Sequence, residues 1–152
     1  MNQTSCPPEV PARALRLTVQ RQMAASPSVL FQAWTHRFDD WFAAPGTMLT
    51  RTDVDTAFFF EVREDGQRYP HYGRFLRIEP EQLLEFTWLT CATRGTETVV
   101  AVELTPHADG THLTLTHAGF PDEESREQHE TAWNSILAQL DQKTSSWPSS
   151  VQ

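Results

Sequence analysis

The sequence predicts an α+β protein in which a curved antiparallel sheet of seven strands wraps around one long C-terminal helix. Three observations predict it. Residues 122–142 carry His129, Ala132, Trp133, Ile136, Leu137 and Leu140 at steps of three and four, the stripe of an amphipathic helix. Upstream, short runs alternate apolar and polar residues with the period of a half-buried strand. Tight turn sequences such as Glu64-Asp65-Gly66-Gln67 separate those runs, and hairpin connections make their neighbours antiparallel.

In chain order, residues 14–21 form the first strand, with Leu15, Leu17 and Val19 on one side and Arg16, Thr18 and Gln20 on the other. Ser26-Pro27 supplies a cap and a proline at the first helical position. A short helix follows to about Thr35, with Val29, Leu30, Ala33 and Trp34 as its apolar stripe. Residues 38–42 make a second helical turn carrying Trp41, closed by Ala44-Pro45-Gly46. Residues 48–53 are a weaker strand, and residues 57–63 a strong one that points Phe58, Phe60 and Val62 one way. After the hairpin turn come strands 72–78, 83–90, 97–105 and 111–117. Leu84, Phe86 and Trp88 face inward on the second of these, Val100, Val102 and Leu104 on the third, and Leu113, Leu115 and His117 on the fourth. Gly119-Phe120-Pro121 ends the sheet, Asp122 caps the long helix, and Asp122, Glu123, Glu124 and Glu127 complement the positive end of its dipole. Packing that helix on the sheet places Trp133 near Trp88 and Val100.

The 152 residues fit one domain over residues 14–142, with a disordered leader over 1–13 and a disordered tail over 143–152 that contains Trp147-Pro148. Twenty acidic against twelve basic residues give a net charge of −8, which repels nucleic-acid phosphates and anionic membranes. Cys6 and Cys91 form no metal or redox pattern, the first residues lack a signal-like apolar run, and a cytoplasmic setting is expected.

Chemistry-bearing side chains are few. His117 shares a strand face with Leu113 and Leu115 and points inward, either as a ligand contact or proton-transfer group or as a core histidine bonded to a carbonyl or a helix side chain. Arg74 and Tyr72 share parity with Leu76 and Ile78, which aims both inward unless a bulge near Gly73 turns them out. His112 and His117, five apart on a strand, face opposite sides, so no metal is expected. No cofactor is expected and no catalytic residue is assigned, because Glu85 and Glu103 face water and no nucleophile-base set or phosphate loop is present.

Several segments resemble a known family. They are Ala24-Ala25-Ser26-Pro27 through Phe31-Gln32-Ala33-Trp34-Thr35, the turn with Trp41, Gly73-Arg74-Phe75-Leu76-Arg77-Ile78-Glu79-Pro80 running into Leu84-Glu85-Phe86-Thr87-Trp88, Val99 through Pro106, Gly110 through His117, Gly119-Phe120, and Trp133. In that order and spacing the chain resembles the START-like or Bet v 1-like (SRPBCC) superfamily, and within it domains similar to the C-terminal part of the activator of Hsp90 ATPase. The family pattern has a glycine just before the helical tryptophan, where this chain has Ala132. The resemblance implies a helix-grip fold with a cavity between sheet and last helix. The expected function is binding of a small, largely apolar or aromatic molecule. Its expected wall is Trp34, Trp41, Phe58, Phe60, Phe86, Trp88 and Val100 from the sheet side, and Phe120, Trp133, Ile136 and Leu137 around the helix. Tyr72, Arg74 and His117 are its polar candidates. The resemblance also leaves an Hsp90-type chaperone partner and a cyclase or hydrolase-like enzyme as alternatives, with the chain a monomer or homodimer.

Overall fold

The computed structural model describes residues 15–48 and 52–148. Alternation produces β1 (Leu15–Met23), β2 (Ala57–Glu64), β3 (Gln67–Glu79), β4 (Leu83–Trp88), β5 (Thr98–His107) and β6 (Gly110–Phe120). These pair antiparallel in the order β1-β6-β5-β4-β3-β2, so the N-terminal strand joins the last one and β2 forms the opposite edge. The sheet has six strands where seven were expected. The missing one is the weak strand of residues 48–53: Thr52 and Asp53 lie in a bend, and residues 49–51 lie outside the described residues.

The helices start where their caps dictate. Ser26 Oγ accepts from the Val29 amide at the head of α1 (Pro27–Trp34), and Asp122 accepts from the Ser125 amide at 2.8 Å at the head of α2 (Glu123–Thr144). Single 3₁₀ turns occupy Phe38–Asp40 and Cys91–Thr93. α2 lies across the sheet: Trp133, Leu137 and Leu140 are buried, and Asp141 accepts from the Ala24 amide at 3.0 Å just after β1. The helix continues past the expected end at Gln142 to Thr144, whose hydroxyl donates to the Leu140 carbonyl at 2.7 Å. Beyond it Trp147 packs half-buried on the core, with the Arg37 guanidinium 3.7 Å from its ring centroid. As far as Pro148, the segment expected to be tail is therefore part helix and part packed side chain. The remaining tail and the expected leader lie outside the described residues.

One irregularity decides which side chains face the helix. β3 pairs Phe75 with Phe86 but Arg77 with Glu85, so an extra residue bulges from β3 between Phe75 and Arg77. Upstream of it the inward residues are Tyr69, His71, Gly73 and Phe75; downstream the inward residue is Ile78, opposite Leu84. Tyr72 and Arg74 are corrected accordingly. Tyr72 is 48% exposed on the outer face against Phe59, and Arg74 pairs with Asp55 at 3.2 Å.

Candidate binding cleft

Aromatic residues from every layer meet at the centre. Trp34 lies 5.2 Å from Trp41 and 6.1 Å from Trp133 between ring centroids, and Phe60 lies 4.8 Å from Phe38 and 5.5 Å from Trp88. Phe58, Phe75 and Phe86 complete the cluster, and Trp41 donates from Nε1 to the Ala33 carbonyl at 2.7 Å. The void among Trp34, Phe58, Phe60, Phe86 and Trp88 is about 10 Å³, the volume of a single water position. The expected cavity is filled here by its own walls, and Val100 and Leu137 are fully buried in the same core.

At the end of β6, His117 is wholly buried and bonded through both ring nitrogens. Trp133 Nε1 donates to its Nδ1 at 3.0 Å, and its Nε2 lies 2.7 Å from Thr98 Oγ1. Indole only donates, so Nδ1 carries the lone pair and Nε2 the hydrogen. Nε2–H then donates to Thr98, whose hydroxyl donates to the Trp88 carbonyl at 2.6 Å. Burial pushes the imidazole well below its ordinary pKa, with repulsion from His129 adding to it. Of the roles open to His117, the structure shows the core histidine bonded to a helix side chain. Phe120 packs on the ring at 4.3 Å.

Space opens instead between the β2–β3 hairpin, the end of β4 and the middle of α2. This cleft has a volume of about 250 Å³. Trp88 and Trp133, 5.5 Å apart, form its bed, and Phe42, Val62 and Ile136 its apolar sides. Glu64, Tyr69, His71, Thr90 and His129 supply the polar part of the lining, beside Ala92 and Ala132. Ala132 is exposed at this mouth, where the family pattern has glycine. His71 stacks on Phe60 at 4.6 Å and donates from Nδ1 to the Tyr69 carbonyl at 2.9 Å. Desolvation lowers its pKa to about 4, against the opposing effect of that carbonyl. His129 donates in the same way to the Ser125 carbonyl at 2.7 Å and is lowered by desolvation.

Of the residues expected to line a cavity, Trp88, Trp133 and Ile136 meet in the cleft. Trp34, Trp41, Phe58, Phe60, Phe86, Val100 and Leu137 belong to the packed core, and His117 and Phe120 to the sealed end of it. Tyr72 and Arg74 line neither space. His71 was missed, although the hairpin turn carried the signal: pairing Glu64 with Gln67 places His71 opposite the inward Phe60. Among the described residues no three of His, Cys, Asp and Glu converge to hold a metal, and no helix is long and apolar enough to cross a membrane.

A six-stranded sheet gripping a long terminal helix, with a cleft between them, defines a START-like protein of the helix-grip type. The chain belongs to the family described as Activator of Hsp90 ATPase homolog 1-like protein, whose model it matches over residues 24–144. Solved structures share the fold. A Chromobacterium violaceum protein is 19% identical with a TM-score of 0.71, over 86% of this chain and 98% of that one. A Mesorhizobium loti protein is 26% identical with a TM-score of 0.69, over 84% and 95%. DynU16, from the dynemicin biosynthetic locus, is 19% identical with a TM-score of 0.73, over 86% of this chain and 47% of its own. No curated protein sequence matches significantly.

Proposed function

We propose that the protein binds a small, largely apolar or aromatic molecule in the cleft between sheet and α2. The observation that carries this is the cleft of about 250 Å³ bedded on Trp88 and Trp133. Buried aromatic surface here remains open on one side, in a core that is otherwise filled. The volume is below the roughly 300–1,000 Å³ of drug-sized sites, which suits a ligand of one or two fused rings. The helix-grip fold of the family, which leaves space between sheet and terminal helix, supports the same reading. Titration with naphthalene-sized compounds, read by tryptophan fluorescence, tests it. The natural protein is expected to bind, and Ile136→Trp, which fills the cleft from the half-buried side of α2, is expected to lose binding while melting normally. Absence of binding to the natural protein, or unchanged binding in Ile136→Trp, would remove the proposal. The alternative of an Hsp90-type chaperone partner has the family description as its support. Calorimetry against an Hsp90 middle domain distinguishes it.

A further inference from the structure

We infer that the cleft selects an uncharged aromatic ligand that carries a hydroxyl or N–H donor, because the histidine nitrogens it offers are acceptors. This rests on the cleft being the binding site. The Nδ1 hydrogen of His71 is committed to the Tyr69 carbonyl, and that of His129 to the Ser125 carbonyl. A carbonyl accepts and cannot donate, so each ring is fixed as the Nδ1–H tautomer with a lone pair on Nε2. Among the described residues no protein donor takes up either lone pair. Neither nitrogen is sealed in the core, since Trp34 Nε1 is the one fully enclosed unpartnered side-chain atom among those residues.

The rings stand on opposite walls, His71 on β3 and His129 on α2, and Trp88 and Trp133 lie between as the apolar bed. Desolvation keeps both imidazoles neutral near pH 7. The cleft's charged side chain is the Glu64 carboxylate, and no Lys or Arg is among the described residues that line it. A carboxylate or phosphate would meet lone pairs and a negative charge with no cation to offset them. An aromatic ether would cover the Nε2 atoms and leave them unsatisfied, whereas a phenol donates to one of them and places its ring on the tryptophans.

The test uses three probes of one shape: 2-naphthol, 2-methoxynaphthalene and 2-naphthoate, titrated into the full chain at neutral pH by calorimetry. 2-Naphthol is expected to bind about fivefold to tenfold tighter than its methyl ether, the ratio of one well-made hydrogen bond, with naphthoate weakest. In ¹⁵N-labelled protein the Nε2 resonance of His71 or His129 is expected to shift with the naphthol and stay in place with the ether. His71→Phe and His129→Phe are each verified by thermal melt, and at least one should bring the naphthol-to-ether affinity ratio to about one. Equal binding of naphthol and ether, tightest binding of naphthoate, or a preference that survives both substitutions overturns the inference and leaves the cleft reading standing. If neither neutral probe binds, both fall. Should either variant fail to fold, the Nε2 shifts in the unsubstituted protein decide.

Discussion

His117 shows how a single buried imidazole can act as structural glue. It takes the Trp133 indole hydrogen on one nitrogen and passes its own to Thr98 from the other, tying α2 to β6 and β5. His117→Leu keeps the volume but strands the indole N–H, so a loss of about 2–3 kcal/mol in urea titration is expected, most of it from that orphaned donor. The same burial fixes the response to acid. His71, His117 and His129 all have pKa values lowered from 6.5 by desolvation, so the unfolded chain takes up more protons than the fold does once the pH drops below that value. Stability is therefore fully present above pH 6.5 and is lost as the pH falls, for His71 through about 4. That lowering alone corresponds to about 3 kcal/mol. Urea midpoints measured between neutral pH and pH 5 should fall steadily, and His71→Phe should flatten the slope.

Among the elements, β3 carries the consequence for recognition. Its bulge near Leu76 changes the parity of every residue before it, so alternation counted back from Ile78 aims Tyr72 and Arg74 at the helix when they face away. Alternation survives within a regular strand and breaks at an inserted residue, which leaves no mark in an apolar-polar pattern as short as Phe75-Leu76-Arg77-Ile78. Counting from the other end succeeds, because Asp65 and Gly66 take the positive φ values of a tight hairpin turn and fix the register from Glu64 onward. The helix stripe, both caps and the aromatic core were legible for the same reason: each depends on local spacing. Whether aromatic side chains fill a cavity or line it depends on distances between elements, which no spacing records. Gly73 tests the local geometry: a Cβ there would lie 2.2 Å from the Thr87 carbonyl oxygen and 2.3 Å from the Phe58 ring. Gly73→Ala is expected to destabilise by about 3 kcal/mol or more in denaturant titration, because the β4 backbone at Thr87 as well as the Phe58 ring must move.

For the molecule as a whole, the last described residues fasten the exit of α2 to the segment after α1. Trp147 lies beneath Arg37, which also pairs with Asp40 at 2.6 Å, so the exit of α2 is pinned to the turn after α1. Trp147→Ala should lower stability by about 1 kcal/mol in a thermal melt, the scale of a partly exposed cation–π contact with its buried area. The other four of the five tryptophans stand in one connected group, Trp41 to Trp34 to Trp133 to Trp88, with successive centroids 5.2, 6.1 and 5.5 Å apart. Indoles at that spacing share their excited states. The native protein should therefore give a bisignate exciton band in circular dichroism and strongly depolarised emission from energy hopping. Trp133→Phe removes the link between Trp34 and Trp88 and should weaken and reshape the band without abolishing it, because Trp41 and Trp34 remain coupled at 5.2 Å. Because Trp88 and Trp133 are also the bed of the cleft, an occupant changes the optical signature of the core without entering it.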